Sequence, residues 1–315
     1  MPVMRNEASS QVLKVWLYAA ASVVLGAWVS PLFYNAGKAL AEVSSTKQTN
    51  VLLEWFAGLC RAADFPKFFV ASLILVAVVL FLPFVEWLQG GRGRDGAANR
   101  PWRMRLPDGA RPMEGGQRLR KNPDALRHVL RGFLVVTVLF LLIGGVLITA
   151  GVLEWRSPGG GILKMLVKTA AFAVGLAVLQ EVLFRGIAMG IFLRAMRPAA
   201  ALGMSAVLFA LVHFLNPPPG LNVVDPDAAG VGFELLRKVL LQFSELRMVL
   251  GVFLPLLALG SVLAFARWRT ASLWLPIGLH AGWIFVNGIM GAVTIAASAP
   301  HSMMWVNYGA ALRQG

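Results

Sequence analysis

The sequence predicts an all-α, polytopic integral membrane protein with seven to eight transmembrane helices, and three observations carry that expectation. The chain is 57% hydrophobic and only 14% charged over 315 residues, whereas a soluble domain carries roughly a quarter charged residues. Its mean hydropathy is +0.69. Its charges are gathered into short stretches that leave long uncharged runs between them. A helix that crosses a hydrocarbon layer of about 30 Å needs about 20 mostly apolar residues, and these runs have that length.

The first span is Val15–Gly37, between Lys14 and Lys38. No small-x-small cleavage pattern follows it at the usual distance, so it is expected to be retained rather than removed as a signal peptide. Phe68–Val85 is the second span and Gly132–Leu153 the third. The fourth runs from about Thr169 to Leu193 and carries Glu181 and Arg185 inside it. Pro198–Asn216 is the fifth, closed by Pro217, Pro218, Pro219 and Gly220, which do not continue a helix. Met248–Ala266 is the sixth, and the seventh follows Arg269 and contains His280. Beyond Ala292 the chain is uncharged until Arg313 but broken by Pro300, which suits a short eighth helix, a re-entrant piece or a surface segment. Between spans five and six, Phe233, Leu236, Leu240 and Phe243 recur at helical spacing. That pattern predicts an amphipathic packing helix or a lid.

The net charge of +14 first suggests nucleic acid, but its distribution argues against that, with RNA or protein docking by the loop as the lesser alternative. Eleven Lys and Arg against four acids lie in one loop between Gly90 and Arg131. Cytoplasmic loops carry such an excess, and anionic lipid headgroups attract it. The N-terminus and loop 90–128 are therefore expected on the cytoplasmic side, with membrane lipid as a partner and no nucleic acid. Residues 1–130 read as N-terminal membrane helices plus the basic loop, and 131–315 as the functional core. Cys60 is the only cysteine, so no internal disulfide forms.

Glu181 and Arg185, four apart on a helix, face one another deep in an apolar run. An ionisable group at that depth is costly and is kept for a partner or a task. Two later spans each contribute one imidazole, His213 and His280. Counted from Arg194, Arg197 and Arg269 at 1.5 Å per residue, Glu181, His213 and His280 lie about 20, 24 and 16 Å deep. One cavity in the middle of the bilayer is therefore within reach of all three. A carboxylate and two imidazoles suit hydrolysis, one group taking a proton from water and another hydrogen-bonding the oxyanion. No His-Glu-x-x-His run occurs. No cofactor is expected, although two His and a carboxylate are also the donor types of a zinc site.

The residues Gln180-Glu181-Val182-Leu183-Phe184-Arg185-Gly186, Phe209 to His213, and Trp274 to Trp283 around His280 resemble the CPBP family of CAAX proteases and bacteriocin-processing enzymes (type II CAAX prenyl endopeptidases, Abi-like proteins). The resemblance covers about Thr169–Asn287. It implies an intramembrane peptidase that cleaves a membrane-proximal peptide with Glu181, His213 and His280 as catalytic residues, and Arg185 holding Glu181 ionised and oriented. The family places a water-activating Glu where this chain has Gln180, and an oxyanion-binding Asn where it has Ile284. An amide is no base near neutral pH. Asn216 and Asn287 are the nearby amides that could assist. The alternative expectation is a catalytically silent scaffold or binding protein; a small transporter with the ion pair as a relay is the third. Gly186 and Gly190, spaced four apart, suggest a close helix approach on the fourth span.

Overall fold

The structure, a computed structural model, describes residues 2–46, 50–89, 124–158, 161–218, 221, 223–228 and 230–297. Apolar runs between charged residues become helices throughout. In order these are α1 (Pro2–Thr46), α2 (Val51–Ala62), α3 (Phe65–Gln89) and α4 (Ala125–Thr149). A short strand β1 (Leu153–Trp155) precedes α5 (Ile162–Glu181), which continues through a π-helical turn, Val182–Ala188, into α6 (Met189–Ala195). Then come α7 (Pro198–Phe214), α8 (Val231–Leu241), α9 (Leu246–Met248), a second π turn (Val249–Phe253), α10 (Leu254–Thr270), α11 (Trp274–Val293) and β2 (Thr294–Ala296). Among the described residues, six helical stretches are long and apolar enough to cross a membrane: Ser10–Thr46, Phe65–Leu88, Ala125–Thr149, Ile162–Ala195, Leu246–Thr270 and Trp274–Val293. The protein is a multi-pass integral membrane protein.

The span count differs from the expectation at two places. The fifth run forms a helix of 17 residues, Pro198–Phe214, about 25 Å long and below full spanning length. The prolines behind it stop it there. After Val293 the chain turns into β2, which pairs antiparallel with β1 in the register Leu153↔Ala296, Glu154↔Ile295 and Trp155↔Thr294. The later part of that tail, and the basic loop from residue 90 to 123, lie outside the described residues.

The chain forms two compact units. One comprises Met1–Gly96 with Val212–Leu246, and the other Ala97–Leu211 with Arg247–Gly315. In the first, α1 runs against α3, with Tyr18 Oη donating to the Ala77 carbonyl at 2.7 Å and Ser72 Oγ to that of Gly26 at 2.8 Å. Pro31 lacks the N–H that would serve the Ala27 carbonyl four residues back. Ser30 Oγ donates to that carbonyl at 2.9 Å instead. Gly232 of α8 lies so close to the same carbonyl that a Cβ there would collide with it. The predicted helix after span five is thus present as α8, with its face rotated from the expected one. Val231, Leu235, Leu236 and Val239 are its buried stripe, sharing a core with Phe65 and Phe69, so that of the expected face Leu236 is buried whereas Phe233, Leu240 and Phe243 are exposed. In a bilayer, an exposed Phe on a helix is still in apolar surroundings, so the sequence stripe does not single out the protein-facing side.

In the second unit the closest helix crossing is α4 on α11. A Cβ on Gly278 would collide with the Val129 carbonyl, one on Gly282 would lie 2.7 Å from the Phe133 carbonyl oxygen, and one on Gly132 would lie 2.7 Å from Leu279 N. The small-residue spacing that lets backbones meet is therefore Gly278 and Gly282, on either side of His280. At Gly186 the nearest foreign atom is Leu273 Cδ1 at 3.6 Å, an ordinary contact rather than the close approach expected at that residue of the fourth span. Gly278→Ala is expected to lower stability by about 1–3 kcal/mol or more through overpacking against backbone that has no rotamer to change. Thermal unfolding in detergent, with Gly145→Ala as the control (nothing lies within 4 Å of its Cβ), measures it. Equal midpoints for the two variants would contradict the crossing.

Candidate active site

The second unit brings three spanning stretches to one buried cluster. Glu181 ends α5, Arg185 lies in the π turn, Gly260 lies in α10, and His280 lies in α11 between the two glycines that seat that helix on α4. Glu181 is fully buried, Arg185 is 1% exposed and His280 2%. Arg185 Nη1 donates to Glu181 Oε1 at 2.9 Å, and Nη2 to the Gly260 carbonyl at 3.1 Å. His280 Nδ1 meets the same Glu181 oxygen at 2.8 Å. The Arg185 guanidinium stacks 4.3 Å from the centre of the Phe209 ring. That ring also meets Phe184 and His280 edge-on, at 5.4 and 5.5 Å between centroids.

The local backbone explains the placement. Met189 N–H bonds to the Phe184 carbonyl, five residues back rather than four. Such π turns widen a helix and concentrate at functional sites. Here the wider turn begins immediately after Glu181 and includes Arg185. The second π turn, in which Leu254 N–H reaches the Val249 carbonyl, leads directly into Pro255, which has no N–H to give an α-helical bond.

An ionised carboxylate only accepts hydrogen bonds, so His280 Nδ1 must carry the proton that points to Glu181. With one carboxylate facing one guanidinium, the cluster is charge-balanced when the imidazole is neutral. Nε2 is then the basic nitrogen of that ring. Glu181 Oε2 and Arg185 Nε are buried without a hydrogen-bond partner, as is Gln180 Oε1. Unpartnered buried polar atoms are rare and mark strained or reactive places.

The structure therefore brings together Glu181, Arg185 and His280. His213 lies one helical turn beyond Phe209 on α7 and is half-buried, but it belongs to the other compact unit. Asn216 is exposed, and its backbone N–H caps the His213 carbonyl at 3.2 Å. Asn287 spends its amide on the Trp283 carbonyl of its own helix at 2.8 Å. Ile284 is half-buried, one turn after His280. Among the described residues, no group of three or more His, Cys, Asp or Glu is placed to hold a metal ion. Sequence reasoning missed the Gly260 carbonyl and the face of Phe209 as partners of Arg185. A backbone acceptor carries no residue-type signal, and Phe209 gave only its spacing to His213.

Fold and site define a multi-pass membrane protein with a buried acid, guanidinium and imidazole cluster. The family model described as Rce1-like, type II CAAX prenyl endopeptidase Rce1-like, matches residues 162–286. That interval contains Glu181, Arg185, His213 and His280 and agrees with the resemblance drawn from the motifs. Over that interval the chain is similar to membrane proteins of the CAAX-protease type. No curated protein and no solved structure matches the chain.

Proposed function

We propose that the protein is an intramembrane endopeptidase, cleaving a membrane-proximal peptide or protein segment with His280 as the base. The 2.8 Å contact between His280 Nδ1 and Glu181 Oε1 carries this proposal. Glu181 holds the imidazole in the tautomer that leaves Nε2 basic, and Arg185 holds Glu181. Nε2 takes a proton from water as the water oxygen attacks the scissile carbonyl carbon. The imidazolium, stabilised by the Glu181 carboxylate, then gives the proton to the departing amine. His213 is the second imidazole and hydrogen-bonds the oxyanion. The N-terminus and the basic loop face the cytoplasm, lipid surrounds the helices, and the steps need side chains and water alone.

A purified sample assayed on a panel of membrane-proximal peptides tests this, with EDTA present and absent. His280→Ala is expected to lower kcat by about 10²–10⁴-fold, the usual contribution of a general base, and His213→Ala to lower it by about 10²–10³-fold. Cleavage that survives His280→Ala unchanged excludes the mechanism. Gln180 and Ile284 favour a second reading, a silent substrate-binding homologue. A Gln180→Glu/Ile284→Asn variant as inactive as its parent on every peptide would support it.

A further inference from the structure

A half-open cavity of about 360 Å³ lies between the end of α4, the start of α5 and the end of α11. Its walls are apolar and include Gly145, Ile148, Trp155, Met165, Met290 and Val293. Gly145 leaves part of the space itself, since a Cβ there would meet nothing within 4 Å. Met290 and Val293 are ten and thirteen positions beyond His280, about 15 and 20 Å along the helix. The cavity is therefore separate from the cluster of acid, guanidinium and imidazole. Apolar pockets of about 300–1,000 Å³ with a few polar groups to fix orientation are the usual form of a ligand site.

The polar group at the rim is Arg156. It follows Trp155, is exposed, and its backbone N–H bonds to the Val293 carbonyl at 2.7 Å. Its Nη2 donates to the carbonyls of Gly291 and Ala292 at 3.4 Å each, between the lining residues Met290 and Val293. Both contacts use Nη2, and a guanidinium has further donors on Nη1 and Nε. Among the described residues no ion pair involves Arg156, and Glu154 makes none with it. Lys164, in the first turn of α5, is a second exposed cation at this end of the helices. In the orientation proposed above, this end faces away from the cytoplasm, where Lys and Arg are usually sparse, so these cations do not serve topology. Trp155 is 66% exposed, as an aromatic at headgroup level should be.

We propose that the cavity holds one acyl chain of an anionic phospholipid whose phosphate lies on Arg156. The guanidinium fork matches two phosphate oxygens at once. A choline or ethanolamine headgroup would place its own cation beside Arg156 and Lys164, whereas glycerol would not, so the site prefers the net negative lipid. This site does not rest on the endopeptidase assignment, and its test reads bound lipid rather than cleavage.

Protein extracted into mild detergent from nanodiscs of equimolar phosphatidylcholine and phosphatidylglycerol, then weighed by native mass spectrometry, provides the test. It is expected to retain one phosphatidylglycerol, about fivefold in excess over phosphatidylcholine, the gain expected of one basic residue at a phosphate. Gly145→Phe fills the cavity and should lose the lipid. Gly175→Phe, at another position where a Cβ meets nothing but outside the cavity lining, should keep it. Arg156→Gln should retain the two lipids equally, and Arg156→Lys should keep part of the preference. Equal retention of both lipids by the wild type, retention undiminished in Gly145→Phe, or a preference unchanged in Arg156→Gln overturns the proposal. The arginine variant alone decides it if Gly145→Phe does not fold. Displacement of phosphatidylglycerol by equimolar farnesol would assign the cavity to a prenyl chain and overturn the proposal as well.

Discussion

Arg185→Met is expected to lower the free energy of unfolding by about 3–5 kcal/mol, the usual penalty for leaving one partner of a buried ion pair uncompensated. Met preserves most of the contact with Phe209 but removes both hydrogen bonds, to Glu181 and to the Gly260 carbonyl. The Glu181 carboxylate would then be fully buried with the His280 Nδ1–H as its remaining donor. Adding Glu181→Gln removes the stranded charge, so the double variant should be more stable than Arg185→Met alone. Denaturation midpoints in detergent for the wild type, both single variants and the double give the coupling between the two residues. Strictly additive losses would mean that the pair does not act as a unit, contrary to the 2.9 Å contact.

Glu181→Gln is expected to lower kcat by about 10²–10⁴-fold with little change in KM. The amide oxygen can still accept from Arg185 and His280, so the geometry has no reason to collapse. Lost is the negative charge that stabilises the imidazolium as it forms, and an interaction made only in the transition state lowers kcat rather than binding. The same substitution strands the Arg185 cation, so an activity loss alone would be ambiguous. Comparison with Arg185→Met/Glu181→Gln resolves this. Stability should return in the double variant and kcat should not. Recovery of activity together with stability would make Glu181 a structural counter-ion and nothing more.

The helical, membrane-embedded architecture was legible because spanning a bilayer constrains composition and length more strongly than anything else in folding. The spans α3, α4 and α10 follow from their flanking charges, and the stop of α7 follows from Pro217 and Pro218. The ion pair was legible too, since residues four apart on a helix meet whatever surrounds them. The face of α8 was not. Its Phe233 and Leu240 are as apolar as the buried Val231 and Val239, and lipid accepts either set. Nor was the position of the close crossing, because the Gly186/Gly190 pair and the Gly278/Gly282 pair have the same spacing. Only the path of α4 selects the second.

The amino-acid order alone determined that this chain lives in a membrane, where its helices run, and that Glu181, Arg185, His213 and His280 are the polar side chains set deep in apolar runs. Those are consequences of transfer free energy and helical periodicity, both local properties. The fold decided that Glu181 shares one oxygen between Arg185 and His280, that the Gly260 carbonyl completes the arginine, and that Arg267 is buried with no ion pair among the described residues. These depend on how distant helices pack and on two turns of altered helical pitch, and neither is written in any short stretch of sequence.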